Sequence, residues 1–389
     1  MKIIIGTDNY FPNVNGASIF SQRLAHYLQK RGHEILVIAP GRQLLTKNAL
    51  INGINVFGLG SVPILVYKDF RWTPSFVGRY DITKVVKEFK PDIIHVQDHF
   101  YIGASLVKIA KRFGIPAVGT NHFMPENLTH YLHLPETGEK VVTNMGWRYF
   151  CSVYGLLDIV TTPTKTAAKL LDNVGLNKPV ITVSCGIDRE KFKPTTSGDP
   201  LREKYHLPRV PTLLYVGRLD KEKKIDYLLE AFADAVKKVS GHFIVAGKGA
   251  EANNLKELVN KLELAQKVTF TGFVPEADLP GLYRTADCFI ISGIAELQSI
   301  VTMEAMASGL PVIAVNAMAL PELCHHEING YLFELNDTNR LSQYMQNILS
   351  DSALQQKMSQ SSLEIIEKHD INNTINQYEN IYASLRPRP

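Results

Sequence analysis

Two carboxylates, Glu296 and Glu304, flank what reads as the start of a buried helix. Ser299 stands between them as an N-cap. Ile300, Met303, Ala307 and Leu310 follow at helical spacing, and Gly309 with Pro311 ends the turn before the apolar run Val312 to Val315. A helix rises about 1.5 Å per residue, so Glu304 falls about 7 Å along the axis from Ser299. That gap admits a diphosphate. Backbone N–H groups of Gln298, Ser299, Ile300 and Val301, at the positive end of the helix, suit its charge, and each carboxylate can accept hydrogen bonds from hydroxyls on either side. The chemistry is a grip on a polyhydroxylated anion; the plainer alternative is a capped core helix carrying two incidental glutamates.

Positive groups that could meet such an anion lie in Val216-Gly217-Arg218-Leu-Asp-Lys-Glu-Lys223-Lys224, where Arg218 offers a planar fork and Lys223 a point charge. A solvated charged loop is the ordinary reading of such a run, but it follows a strand and precedes a helix. Ala246-Gly247-Lys-Gly249 and Thr271-Gly272-Phe273-Val274 also end strands, and their bare backbone could border a nucleotide, Gly247 along its length and Val274 at the base edge. Near the N-terminus, Gly16 opens a helix and lets backbone approach a phosphate closely, or serves only as a turn residue. The spacing G-x-G-x-x-G of a dinucleotide site is absent there. His122, at the end of another strand, can hydrogen-bond a sugar hydroxyl or a developing leaving group. Asp98 and His99 lack a third ligand at metal spacing and no Asp-x-Asp occurs, so no metal and no cofactor is expected.

The elements that must position these loops alternate strand and helix throughout, the pattern of parallel sheets covered on both faces. Strands are expected at Ile3 to Gly6, Ile35 to Ile38, Asn55 to Leu59, Ile93 to Val96, Ala117 to Thr120, Ile159 to Thr162 and Val180 to Val183. The polar stretch Lys193 to Pro200 reads as a linker. The pattern then restarts at Thr212 to Val216, His242 to Ala246, Val268 to Thr271, Cys288 to Ile291 and Val312 to Val315. The expected fold is α/β, with two doubly wound, Rossmann-like domains, residues 1–195 and 196–370, facing a central cleft. Residues 371–389 should form a helix that packs back on the first domain, with Ile375, Tyr378, Ile381 and Tyr382 on one side.

Composition narrows the class. At 389 residues the chain is longer than one core usually grows, and a net charge of +4 permits anionic ligands without arguing for nucleic acid. The widely separated Cys151, Cys185, Cys288 and Cys324 suit reduced, buried thiols of a cytoplasmic protein. Met1-Lys2-Ile-Ile-Ile-Gly6 reads as a first strand rather than a signal peptide, and no apolar run is long enough to span a membrane.

Taken together, these motifs resemble the family 4 glycosyltransferases, retaining enzymes of GT-B architecture that use nucleotide-activated sugars. The resemblance rests on the Gly16 loop, Asn121-His122, Ser184-Cys-Gly186-Ile-Asp188-x-x-x-Phe192-x-Pro194, the Gly217-Arg218 to Lys223 loop, and the glutamate pair running into Glu304-Ala-Met-Ala-Ser-Gly-Leu-Pro-Val312. It implies that the first domain binds the acceptor and the second the donor. By the same resemblance Glu296 grips the transferred hexose, Glu304 the ribose, Arg218 and Lys223 the diphosphate, and His122 the sugar near the reacting carbon. Glu296-Leu-Gln-Ser299 stands where the family often has Glu-Gly-Phe-Gly, Cys185 where asparagine is frequent, and Lys224 where glycine is frequent. The Glu-x-Gln form and the loop His122-Phe-Met-Pro-Glu-Asn127 look more like the subset that glucosylates diacylglycerol or related lipids. A UDP-linked glucose donor and a hydroxyl acceptor, in that case a lipid, are the corresponding expectations. Residues Leu128 to Tyr154, with Leu132, Leu134, Trp147, Tyr149, Phe150 and Tyr154 among Lys140 and Arg148, would then form either an interfacial helix, for peripheral contact with the inner face of the membrane, or an aromatic stripe buried on the sheet. Alternatives are a GDP-mannose-dependent transferase acting on an inositol lipid, an epimerase, and a nucleotide-sugar-binding protein without transfer. The oligomeric state is not legible.

Overall fold

A computed structural model describes residues 1–11, 15–63, 71–125 and 135–385, with backbone alone at 75–77 and 136. Leu132 and Leu134, and the Glu126-Asn127 end of the histidine loop, lie outside the described residues. The chain divides into two compact units, Met1–Cys185 together with the segment from Thr374 onward, and Gly186–Asn373.

The sheet of the first unit runs Val180–Thr182, Ile159–Thr162, Ala117–Thr120, Ile93–Val96, Lys2–Gly6, Glu34–Pro40, Ile54–Leu59, Lys47–Ile51. Every pairing is parallel except the last, where Lys47–Ile51 returns antiparallel at the edge. Burial on both faces explains the unbroken apolar runs, with Ile3, Ile4 and Ile5 wholly inaccessible. Lys47–Ile51, one of the strands that periodicity missed, shows why it was missed: it is mostly exposed, and its apolar stretch is only the three residues Ala49-Leu50-Ile51 after Lys47-Asn48. The order reverses direction at Lys2–Gly6, so the crevice outside the carboxyl ends of that strand and Ile93–Val96 is the topological switch point of this sheet.

In the second unit the strands run Val268–Gly272, His242–Ala246, Thr212–Val216, Cys288–Ile291, Val312–Val315, Gly330–Phe333, all parallel. This is the dinucleotide-fold order, although no glycine fingerprint announces it, and its switch point lies between Thr212–Val216 and Cys288–Ile291. The final strand, Gly330–Phe333, was also not anticipated.

The units part at Cys185, before the polar stretch expected as the linker. Ile187 forms a parallel bridge with Asp370, donating its N–H to His369 and accepting one from Ile371, so the segments on which the chain enters and leaves the second unit are hydrogen-bonded to each other. Residues after Gly186 are packed structure: a Cβ on Gly309 would lie 3.2 Å from Pro194.

The last helix, Ile371–Leu385, belongs from Thr374 onward to the first unit. Its periodic residues Ile375, Tyr378, Ile381 and Tyr382 are all buried. Tyrosine burial is tolerated because each hydroxyl finds a partner. Tyr382 pairs with His95 Nδ1 at 2.7 Å, and Tyr378 lies 3.1 Å from Thr120 Oγ1 and 3.3 Å from Thr161 Oγ1. At its outer face Glu379 meets Arg31 at 3.1 Å and His33 at 2.8 Å. Tyr382→Phe leaves a nitrogen of the inaccessible His95 unpaired, and we expect urea titration to show a loss of about 1–3 kcal/mol in unfolding free energy.

Candidate active site

The first loop of the second unit leaves Thr212–Val216 at the switch point. Gly217 is held so close to Tyr215 that a Cβ would stand 2.8 Å from the phenol oxygen, and Tyr215 donates its hydroxyl to the Arg218 carbonyl at 2.8 Å. Gly247 follows the neighbouring strand, and a Cβ there would fall 1.8 Å from the Gly217 carbonyl oxygen. The two glycines therefore serve close backbone packing of adjacent loops, a role that spacing alone did not reveal. Arg218 is forked between Asp220 and Glu222, 2.7 Å from the latter. Lys224 adopts a left-handed conformation, φ 51°, between the short turn Lys221–Lys223 and the helix Ile225–Ala235. A lysine thus occupies backbone geometry that favours glycine, which accounts physically for glycine being frequent there in the family it resembles.

Across the switch point, Cys288–Ile291 leads into Ser292-Gly293 and Glu296. Lys223 Nζ lies 2.6 Å from Glu296 Oε1, with each side chain only 17% exposed, so the pair is weakly screened. Ser292 donates its hydroxyl to the Lys223 carbonyl at 2.6 Å and ties the two loops together. Ser299 caps the helix Ile300–Ala307, its side chain accepting from Thr302 N–H. The first N–H groups of such a helix have no intrahelical acceptor. Glu304 is buried inside that helix and accepts the Tyr283 hydroxyl at 3.0 Å. Val274 is buried after Val268–Gly272, whereas Phe273 beside it is half exposed, and Gln298 is half-buried. Of the sequence-derived candidates, Gly217, Arg218, Lys223, Gly247, Val274, Glu296, Gln298, Ser299, Ile300 and Glu304 all fall in this unit, and Lys223 with Glu296 are in direct contact.

Gly16 and His122 belong to the first unit. Gly16 begins the helix Gly16–Lys30, capped by the Asn15 side chain, which accepts from Ser18 N–H. His122 follows Ala117–Thr120, its ring 4.7 Å from Phe20 and its Nε2 3.2 Å from Gln97 Oε1. Burial pushes its pKa down to about 3, so the ring is neutral at physiological pH. Nearby is a carboxyl pair that sequence reasoning did not single out together. Asp98 accepts from Asp8 N–H at 2.6 Å and from the Thr7 hydroxyl at 3.1 Å, while Asp8 accepts from Ile102 and Gly103 N–H at the start of the helix Tyr101–Phe113. Burial raises both carboxyls, Asp8 well above its ordinary value, and the charge of Asp98 pushes Asp8 further in that direction. No group of three or more His, Cys, Asp or Glu suited to a metal ion occurs among the described residues.

Residues 14–191 match the family described as Glycosyltransferase Family 4, and residues 199–364 match Glycosyl transferases group 1. The chain is a family 4 glycosyltransferase. The enzyme is 29% identical to the alpha-monoglucosyldiacylglycerol synthase of Streptococcus pneumoniae, over 86% of this chain and 75% of that one. It is 26% identical to a GDP-mannose-dependent alpha-mannosyltransferase of Corynebacterium glutamicum, over 87% of this chain and 78% of the relative. Among solved structures, sucrose-phosphate synthase from Thermosynechococcus elongatus superposes with a TM-score of 0.82 at 20% identity, covering 99% of both chains. Anabaena HepE in complex with UDP-glucose gives 0.74 at 18% identity, covering 98% of this chain and 99% of that one. These structural likenesses establish the GT-B fold, with its two Rossmann-like domains.

Close packing in the loops at the switch point of the second unit separates two glycine variants of the enzyme. A Cβ on Gly293 would lie 2.9 Å from Glu296 Oε1 and 3.3 Å from Lys223 Cδ, both ends of flexible side chains. Gly293→Ala should therefore fold with little change in melting temperature yet lose about tenfold in turnover as the ion pair is pried apart. In Gly247→Ala the obstruction is backbone, so several degrees of melting temperature should be lost; calorimetry and initial rates on both variants check the contrast.

Burial also sets a pH dependence. His95 is lowered to about 3, with the positive charge of a protonated His122 as a lesser cause, and desolvation lowers His99 to about 4. The unfolded chain takes up these protons below the ordinary histidine value of 6.5 while the native state refuses them, so stability present above pH 6.5 is lost as pH falls toward the folded pKa. The raised Asp8 and Asp98 act in the opposite sense, losing stability as pH rises above the ordinary aspartate value of 3.8. Between pH 7 and pH 5 each neutral buried histidine should remove about 2 kcal/mol. Urea midpoints at both values should fall on acidification, and His95→Gln should flatten that fall by about the share of one histidine.

Proposed function

We propose that this enzyme transfers glucose from UDP-glucose to a hydroxyl of a membrane lipid of the diacylglycerol class, with retention at the anomeric carbon and without a metal ion. The observation that carries the reading is the Lys223–Glu296 pair at the switch point of the second unit, beside the capped start of the helix Ile300–Ala307. A cation and a hydroxyl-binding carboxylate held against each other suit a ligand that is anionic at one end and polyhydroxylated at the other. Glu296 grips the hexose and Glu304 the ribose, the backbone at Gly217, Gly247 and Val274 borders the nucleotide, and Gln298, Ser299 and Ile300 present N–H groups to the diphosphate. Within the first unit, Gly16 offers bare backbone to a phosphate and His122 a neutral ring to a sugar hydroxyl.

As the glycosidic bond to the diphosphate breaks, negative charge grows on its oxygens. Arg218 and Lys223 favour that charge more in the transition state than in the ground state. Both cations begin partnered by carboxylates, so they are aimed before the donor arrives and the donor must compete for them. The acceptor proton passes to an oxygen of the departing phosphate, and no protein general base is assigned.

The lipid acceptor is supported by the Streptococcus relative and by one helix face. Along Glu136–Tyr154, Val141 is 58% exposed, Met145 64% and Tyr149 47%, in a row beside exposed Lys140 and Arg148, while Trp147, Phe150 and Tyr154 of the same helix are buried. Apolar groups flanked by cations suit peripheral attachment to an anionic bilayer at the cytoplasmic face. No described helix is long and apolar enough to cross a membrane.

Lys223→Ala should lower kcat about a hundredfold or more while shifting the melting temperature little. The assay is UDP release from UDP-glucose with dioctanoylglycerol vesicles, with GDP-mannose run in parallel and the product anomer read by NMR. An unchanged rate in a folded Lys223→Ala protein overturns the charge-stabilisation role.

A further inference from the structure

Around the switch point of the first unit, three polar side chains are held in place and each leaves a nitrogen without a partner. Gln97 Oε1 is engaged by His122, but Gln97 Nε2 has no hydrogen-bond partner although the residue is 1% exposed. Asn121 Oδ1 accepts from Phe123 N–H at 3.1 Å, while Asn121 Nδ2 is unpaired in a residue also 1% exposed. His99 is fixed among the rings of Phe100, Phe123, Phe150 and Tyr149, with Nδ1 unpaired at 3% exposure. Orphaned buried polar groups cost free energy, and three of them on two loops that touch each other mark a place prepared for oxygen atoms. The loops interlock through Gln97 with His122 and through His99 with Phe123.

The surroundings restrict which oxygens. Asp8 and Asp98 lie on the loops leaving Lys2–Gly6 and Ile93–Val96, and among the described residues neither is in an ion pair. A phosphate or carboxylate brought against this pair would be repelled and would lose its hydration shell. Hydroxyls accept from the amide and imidazole N–H groups while donating to carboxyl oxygens. The rims of Phe100, Phe123 and the half-exposed Tyr149 add apolar surface of the kind that the C–H faces of a sugar ring cover.

We infer that the cluster formed by Gln97, Asn121 and His99 beside Asp98 binds an uncharged polyhydroxyl group, the head of the acceptor, and discriminates against phosphorylated heads. This rests on the transferase reading and narrows it: it favours a neutral glycosylated head on a diacylglycerol over diacylglycerol itself, which carries a single hydroxyl, and it opposes an inositol phospholipid as acceptor. A lipid headgroup and a free sugar both present this chemistry, the neutral polyol.

The test measures UDP or GDP release by the full chain with whichever of UDP-glucose and GDP-mannose is consumed. Four acceptors are compared: methyl α-glucoside and a dioctanoylglycerol glucoside as uncharged probes, myo-inositol 1-phosphate and dioctanoyl phosphatidylinositol as their charged counterparts. At least a tenfold preference in kcat/KM for either uncharged probe is expected. Asn121→Ala, and His99→Phe, which keeps the ring packing, should each raise KM for that probe about five- to tenfold with a smaller change in kcat. Preference for the phosphorylated probes, or an unchanged acceptor KM in both variants, as would follow if the cluster holds only water, overturns the inference. Ligand-observed NMR of methyl α-glucoside reads the cluster without turnover: saturation transfer that vanishes in Asn121→Asp supports it, and transfer unaffected by the change defeats it. Absence of turnover with either donor and every acceptor would instead count against the transferase reading.

Discussion

The ammonium of Lys223 rests 2.6 Å from the carboxylate of Glu296, and much of the second unit exists to bring those two loops together. They leave neighbouring parallel strands at the point where the winding of the sheet reverses, and the hydroxyl of Ser292 fastens one loop to the other. An ion pair with so little exposure costs desolvation, and its fixed geometry offsets part of that cost. What it provides is orientation: the cation and the hydroxyl acceptor are placed before a ligand enters. Arg218, forked between Asp220 and Glu222, is held by the same device.

The first unit repeats the topology with different chemistry. Its switch point carries a buried carboxyl pair, a neutral histidine and amides with unused hydrogen-bonding capacity, where the second unit has cations and a capped helix. On the function proposed above, uncharged groups would meet the former and a diphosphate the latter. The tyrosines of the last helix support the first site from below, since Tyr382 and Thr120 hold His95, and Phe20 packs between His122 and Tyr378. A change in that helix is therefore felt at the strand ends even though the helix is last in the chain.

Much of this was legible from residue order. Parallel strands buried on both faces must be continuously apolar, so runs such as Ile3 to Gly6 and Cys288 to Ile291 announced themselves, and Ser299 declared a helix start because a serine oxygen there satisfies an otherwise unpaired N–H. The strand Lys47–Ile51 carried no such mark, being an exposed edge, and the unit boundary was masked because Ile187 and Asp370 are brought together only by the fold.

Residue types and local spacing determined the class of fold, the strand-end location of Arg218, Lys223, Glu296 and His122, and the capped helix between the glutamates. Tertiary structure alone decided that Lys223 meets Glu296, that Tyr283 holds Glu304, that Gly247 makes room for the Gly217 carbonyl, and that Asp98 lies against Asp8. The physical reason is range. Capping, periodicity and turn chemistry act over a few neighbouring residues, whereas these contacts join loops on different strands, and their partners become definite only when the sheet brings the strand ends side by side.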